Sequence, residues 1–277
     1  MVSRALFVIA LTGWLACSAA EEAGLELTLI SESATLTPGQ PITVGLHIAH
    51  EPGYHTYWQN PGIVGVATSL EWDLPPGFQA SPPQWPHPEN CLMAGHPSFG
   101  YERDVTLLVT ITPPQSIVTD TVTLGCQARW MCCAETCHPG SRKLTLTLPV
   151  SASPSPAPPR HQQWLDQARR EIPQPSRAWT TTLLSPASAP VIKLQLTHKG
   201  DQQPLTLFSN DGQISSLPKV SFEKKGHHTW VTSLPRAEFS PPSPSSLPFV
   251  LQTTNGYHQL AATFPAEASA TTSQSDS

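Results

Sequence analysis

The chain has 277 residues, a formal net charge of −5 and only 13% charged residues, with no basic cluster. That balance argues against a nucleic-acid partner, whose phosphates call for a face rich in lysine and arginine. The 31 prolines are many for a globular protein, but 39% apolar residues leave enough for a core, and about 245 residues between the termini fit two domains of ordinary size.

The N-terminus reads as a secretory signal over residues 1–20. Arg4 gives a positive start, ALFVIALTGWLA (5–16) an apolar stretch too short to span a bilayer, and Ser18-Ala19-Ala20 small residues for cleavage. Cleavage after Ala20 takes away one Arg and no acid, so the mature charge becomes −6. Lipidation at Cys17 is the rival reading, weakened by Trp14 where a Leu is usual. Either way the protein is expected to be exported, where disulfides persist.

Beyond the signal the pattern has period two. LELTLI (25–30), ITVGLHIA (42–49), VTLLVTIT (105–112), TVTLGCQ (121–127) and KLTLTLP (143–149) alternate or run apolar between turn clusters such as TPGQP and LPPG. Short strands at this spacing predict an antiparallel β-sandwich over 21–150. SASPSPAPPR (151–160) reads as an extended, semi-stiff linker. HQQWLDQARREIP (161–173) then puts Trp164, Leu165, Ala168 and Ile172 on one helical face, and Pro173 stops it, so 151–177 holds a linker and one short helix. Six further strand patterns, from WTTTLL (179–184) to YHQLAATF (257–264), predict a second sandwich over 178–265, followed by a small, polar, disordered tail over 266–277. The predicted fold class is all-β: two sandwiches, a Pro-rich linker and one helix.

The cysteines segregate. Cys91, Cys126, Cys132, Cys133 and Cys137 all lie in the first domain, and the second has none. Three of them fall in ARWMCCAETCHPG (128–140). An inert staple is one reading, but five mature thiols leave one over in a monomer, and a loop from Cys133 to Cys137 is too small to stabilise much. A metal is the second reading: Cys132, Cys133, Cys137 and His138, beside Met131, form a soft set suited to Cu(I). His87, His96, His227 and His228 offer no second ligand at helical spacing. Thiol exchange is the third. Arg129 and His138 are cations able to favour a thiolate, Glu135 opposes one or serves as a proton acceptor, and Pro139 fixes the backbone past Cys137. Spacing alone does not choose among the three. Cys126, in a strand pattern, reads as a small buried hydrophobe.

Three segments together resemble the N-terminal periplasmic domain of the DsbD and ScsB type of thiol:disulfide interchange protein: PGYHTYWQNPGIVG (52–65), FGYERDVTLLVTITPP (99–114) and ARWMCCAETCHPG. The likeness continues more weakly through the helix into the second sandwich. It implies immunoglobulin-like domains, with a redox pair on one edge of the first, shielded by a cap loop until a partner docks. On that likeness Cys133 and Cys137 are the active pair, with Cys137 the sulfur that exchanges. Trp130, Glu135, His138 and Pro139 support them, and Pro88 to Gly100 falls where the cap belongs, with Phe99 and Tyr101 as candidate shielding rings.

The implied role is a periplasmic relay of reducing equivalents, a disulfide reductase or exchange partner that needs no cofactor. It would act with a thioredoxin-like domain or a membrane electron transporter of the DsbD or CcdA type, and with oxidised periplasmic proteins. Two alternatives stand beside it: a copper-tolerance protein using the cysteine cluster, and a non-catalytic Ig-like interaction module. The chain departs from the family by Cys132 in place of an aliphatic residue, by Cys91 inside the cap, and by lacking membrane and thioredoxin-like domains. Cys91 and Cys132 are a third redox thiol, a cap staple or bystanders. Tyr54, Tyr57 and Trp58 read first as core packing, with Trp58 and Trp85 alternatively flooring the redox site.

Overall fold

A computed structural model of the protein describes residues 24–216, 219–241 and 244–265. The expected signal segment with Cys17, and the tail from residue 266, lie outside these. The first half contains β1 (Leu25–Ser31), β2 (Ile42–His50), β3 (Thr56–Gly62), β4 (Ser69–Asp73), β5 (Gln79–Ala80), β6 (Glu89–Met93), β7 (His96–Tyr101), β8 (Val105–Thr112), β9 (Thr121–Cys133) and β10 (Cys137–Pro149). After α1 (Pro159–Glu171) come β11 (Gln174–Pro175), β12 (Trp179–Leu183), β13 (Val191–His198), β14 (Pro204–Ser209), β15 (Glu223–Lys224), β16 (Thr229–Pro235), β17 (Ser246–Thr253) and β18 (Gly256–Thr263).

The first half stacks a sheet of order β1-β2-β8-β5 against one of order β10-β9-β4. The second stacks β11-β18-β17-β14 against β12-β13-β16-β15. Pairing is antiparallel throughout except for the short β11–β18 pair. The protein is thus nearly all-β, with one helix, in the expected immunoglobulin-like sandwich architecture. Alternation explains most strands. In β9 the even positions Leu124, Cys126, Ala128, Trp130 and Cys132 enter the first core, and the odd ones face outward. In β8 the run is apolar without a break because both faces are covered: Val105, Val109 and Ile111 enter the core, and Leu108 packs under the helix.

The helix belongs to the first sandwich. Leu165 and Ala168 are buried on Ile30 and Leu108, with Trp164 and Ile172 half-buried alongside. It starts at Pro159, where a missing N–H costs nothing. The linker before it is tied down: Ala34 N donates to Ser155 O at 2.8 Å, and Ser33 bridges to Pro156. Among the described residues no helix is long and apolar enough to cross a membrane.

A third sheet, of order β3-β7-β6, runs through segments where the sequence predicts no strand, among them the expected cap loop Pro88 to Gly100. Pro61, Gly62, Gly95, Pro97 and Gly100 break any alternation there. The β6–β7 hairpin closes on Ala94 and Gly95, both with positive φ (49° and 80°), the conformation a two-residue hairpin turn needs. This sheet lies over the end of the β9–β10 hairpin, where Cys133 is.

Candidate functional site

The β9–β10 register runs unbroken from Thr121↔Pro149 to Cys133↔Cys137. Strand alternation puts both of those sulfurs on the outer face of the sheet, directly opposite each other. They form a disulfide, with Cα atoms 4.2 Å apart. Ala134, Glu135 and Thr136 make the turn, closed by Ala134 N donating to Thr136 O at 3.0 Å.

The two sulfurs differ in surroundings. Cys133 is fully buried. Its backbone exchanges two 2.9 Å hydrogen bonds with His55, just before β3. The Tyr57 hydroxyl donates to Cys133 Sγ at 3.2 Å. His55 and Tyr57, two apart on an extended chain, face the same way, with rings edge to face at 5.1 Å. Burial holds the His55 imidazole below its usual pKa and pushes the Tyr57 phenol up, so both stay neutral near pH 7. Cys137 is exposed. The Met93 side chain, at the tip of the β6–β7 hairpin, leans on it, with Sδ 3.7 Å from Cys137 Sγ.

The remaining predicted site residues scatter. Trp130 is buried in the core, and its ring lies over its cross-strand partner Gly140, where an added Cβ would sit 2.3 Å from the ring. Glu135 is exposed in the turn, and Pro139 is exposed opposite Met131. His138 is on the inner face opposite Cys132, with Nε2 3.0 Å from Thr136 Oγ1. Arg129 pairs with Glu71 at 2.8 Å. Phe99 and Tyr101 are both buried: Phe99 meets Phe208 edge to face at 5.1 Å, and the Tyr101 hydroxyl donates to Pro86 O at 2.7 Å. They form the stem of the cap rather than its contact with Cys137. Trp58 lies in the core, and Trp85, partly buried, packs against that core.

Cys91, Cys126 and Cys132 are free and buried. Burial pushes the Cys91 thiol up to about 12, helped by Glu102 and Glu89, and those of Cys126 and Cys132 up to about 11. Thiols held protonated in this way are poor nucleophiles. The four proposed copper ligands do not converge, because Cys132 and His138 face inward and Cys133 and Cys137 outward. Among the described residues no group of three or more His, Cys, Asp or Glu is arranged to hold a metal. The sequence reading missed Met93 and the Tyr57 hydroxyl. The period-two spacing of His55 and Tyr57 was the available signal for the latter.

Residues 27–149 match the family model described as thiol:disulfide interchange protein DsbD, N-terminal. The N-terminal periplasmic domain of ScsB from Proteus mirabilis is similar in structure, at a TM-score of 0.64 and 19% identity, over 87% of this chain and 94% of that one. At that identity the likeness shows the fold alone. A chimeric titin Z1Z2 (13% identity, 87% and 95% covered, TM-score 0.22) and Spo0M from Bacillus subtilis (8%, 86% and 84%, 0.26) align over similar lengths but too poorly to carry an argument. No curated protein matches the sequence.

Proposed function

We propose, from the premise that residues 27–149 form a DsbD N-terminal-type domain, that this protein is a periplasmic thiol–disulfide interchange protein. It relays reducing equivalents from a thioredoxin-like or membrane donor to exported substrates through Cys133 and Cys137. Family membership of that segment supports interchange in general terms. The observation that carries the specific reading is the asymmetry of the pair: Cys137 at the surface beside the half-exposed Met93 side chain, and Cys133 buried with a hydroxyl aimed at its sulfur.

In this mechanism a donor thiolate attacks Cys137 Sγ once Met93 moves aside. The donor–Cys137 bond forms, the Cys133–Cys137 bond breaks, and Cys133 leaves as a thiolate that accepts the Tyr57 hydrogen bond. A hydrogen bond to a charged sulfur is stronger than one to a neutral sulfur, so Tyr57 favours the departure. The donor's second thiolate then attacks its own sulfur in the mixed disulfide and releases Cys137. The donor is oxidised by two electrons, and the pair is reduced. The reverse sequence passes the electrons to an oxidised substrate.

The test is trapping. Cys133→Ser, with Cys137 first loaded as a mixed disulfide with a small aromatic thiol, should pass that bond to the first cysteine of a thioredoxin-like partner whose second cysteine is replaced by Ser. The small thiol leaves, no second thiol of the partner can resolve the new bond, and a stable adduct is expected by mass spectrometry. Cys137→Ser should give none. Equal adducts from both variants, or from neither, would contradict the reading and leave an inert disulfide in an interaction module.

A further inference from the structure

The second sandwich has no cysteine, yet it reaches the redox site through the cap. Phe208, on β14, is 1% exposed and joins the buried cluster of the first domain rather than that of its own sandwich. Its ring meets Phe99 of β7 edge to face at 5.1 Å and Trp58 of β3 at 6.4 Å. The Ser216 hydroxyl donates to Pro97 O on β7 at 2.8 Å and accepts from Ile63 N, just past β3, at 3.3 Å. Gly62 admits this approach, because a Cβ there would lie 2.6 Å from Ser216 Oγ. Asn60 Nδ2 donates to Ser209 O at 2.6 Å. Further down, the His87 ring stacks on Tyr257 at 3.6 Å.

These contacts fall on the stem of the cap hairpin. The first sandwich holds its base separately, through Arg103, which pairs with Glu89 at 2.8 Å and with Glu171 at 3.3 Å. Past Pro97 the tip is different in kind: Leu92, Ala94, Gly95 and His96 are exposed and Met93 half-exposed. The hairpin is therefore clamped along β7 and open to solvent at the end that touches Cys137.

We propose that Phe208 and Ser216 are positioning residues for the redox site: they clamp β7 so that the cap stays over Cys137, and a partner need displace only the tip. The inference rests on reading Cys133–Cys137 as the exchanging pair, and it gives the second sandwich a role in controlling access to that pair. Neither residue touches the sulfurs. They act through the position of Met93.

The experiment measures how fast dithiothreitol reduces the disulfide in the full mature chain. Phe208→Ala, Ser216→Ala and Leu194→Ala would be compared with wild type, Leu194 being buried in the second core away from the cap. Loss of one contact on the stem uncovers Cys137 only in part, so it should speed reduction by about two- to threefold. Deuterium uptake over residues 96–101 should rise while the reduction potential stays unchanged. Leu194→Ala should lower the melting temperature and leave the rate alone. Ser216→Ala changes one hydroxyl and keeps the test usable if Phe208→Ala does not fold. Unchanged rates in the two clamp variants, or an equal rise in Leu194→Ala, would overturn the proposal. Because the probe is a small dithiol, the result stands or falls independently of whether a protein partner exchanges with Cys137.

Discussion

Two hairpins meet at the disulfide. The one that carries it, β9–β10, has thirteen residues in each strand, continuous register, and Leu124, Leu144, Leu148 and Trp130 anchored in the core. The one that covers it, β6–β7, has five residues and six, in a sheet whose register with β3 is irregular, and it ends in an exposed turn. Long paired strands over a core open only with much of the domain, whereas a short hairpin with a solvated tip opens locally at low cost. The difference assigns the roles in this account: the carrier fixes both sulfurs, β3, bridged to it through His55 and Cys133, holds the Tyr57 donor, and the cover supplies the motion.

Tyr57→Phe is the sharpest break of the fixed side. It removes the hydrogen bond to the departing Cys133 thiolate, about 1.5 to 3 kcal/mol for a charged acceptor. Reduction by a thioredoxin-like donor should slow by about tenfold or more, measured by stopped-flow fluorescence; an unchanged rate would show that the hydroxyl plays no part in the departure of Cys133.

Acid should loosen the first sandwich next. His47, stacked on Trp164 at 3.7 Å, and His50, within 3.0 Å of Thr56 Oγ1 at the start of β3, are lowered from 6.5 to about 4 by burial, against the opposing pull of Asp104 on both and of the Arg103 carbonyl on His50. Above pH 6.5 neither state binds these protons. Between 6.5 and 4 the unfolded chain does and the folded one does not, so stability is lost as pH falls through that window, by up to about 1.4 kcal/mol per unit for each group. Urea midpoints at pH 7 and pH 4.5 should show the drop, and a flat profile would count against the burial of these rings.

Gly140→Ala tests the stiffness of the carrier. The new Cβ would run into the Trp130 ring, and overpacking of this kind costs about 1 to 3 kcal/mol, visible as a lower melting temperature. Smallest of all, Met93→Ala should bare Cys137 and speed reduction by dithiothreitol about two- to fivefold while leaving stability unchanged. A rate equal to wild type would mean that the cap does not limit access.

The same contrast explains what the sequence made legible. The carrier was readable: alternation in TVTLGCQ and KLTLTLP marks β9 and β10, and the motif around Cys133 and Cys137 named the pair by resemblance. The cover was not. Its strands contain Pro97 and Gly100, Gly95 sits in the turn between them, and their pairing is set by packing on Phe208, more than a hundred residues away, which no local pattern encodes. The rings Phe99 and Tyr101 look like lids in a sequence because they are large. Their positions on β7 turn them inward, and an unbranched Met at the tip makes the contact. Tyr57 looked like core because its ring is buried; its hydroxyl acquires a partner only when β9 lies beside β3.

The central claim is that Cys133–Cys137 is an exchanging pair and not a staple. The measurement that tests it most directly is the reduction potential of the purified mature protein, equilibrated in defined thiol buffers with the pairing mapped by mass spectrometry. This account predicts that Cys133–Cys137 titrates between about −180 and −270 mV, within reach of thioredoxin-like proteins. A bond that stays closed below about −300 mV, or a different pairing, would contradict it.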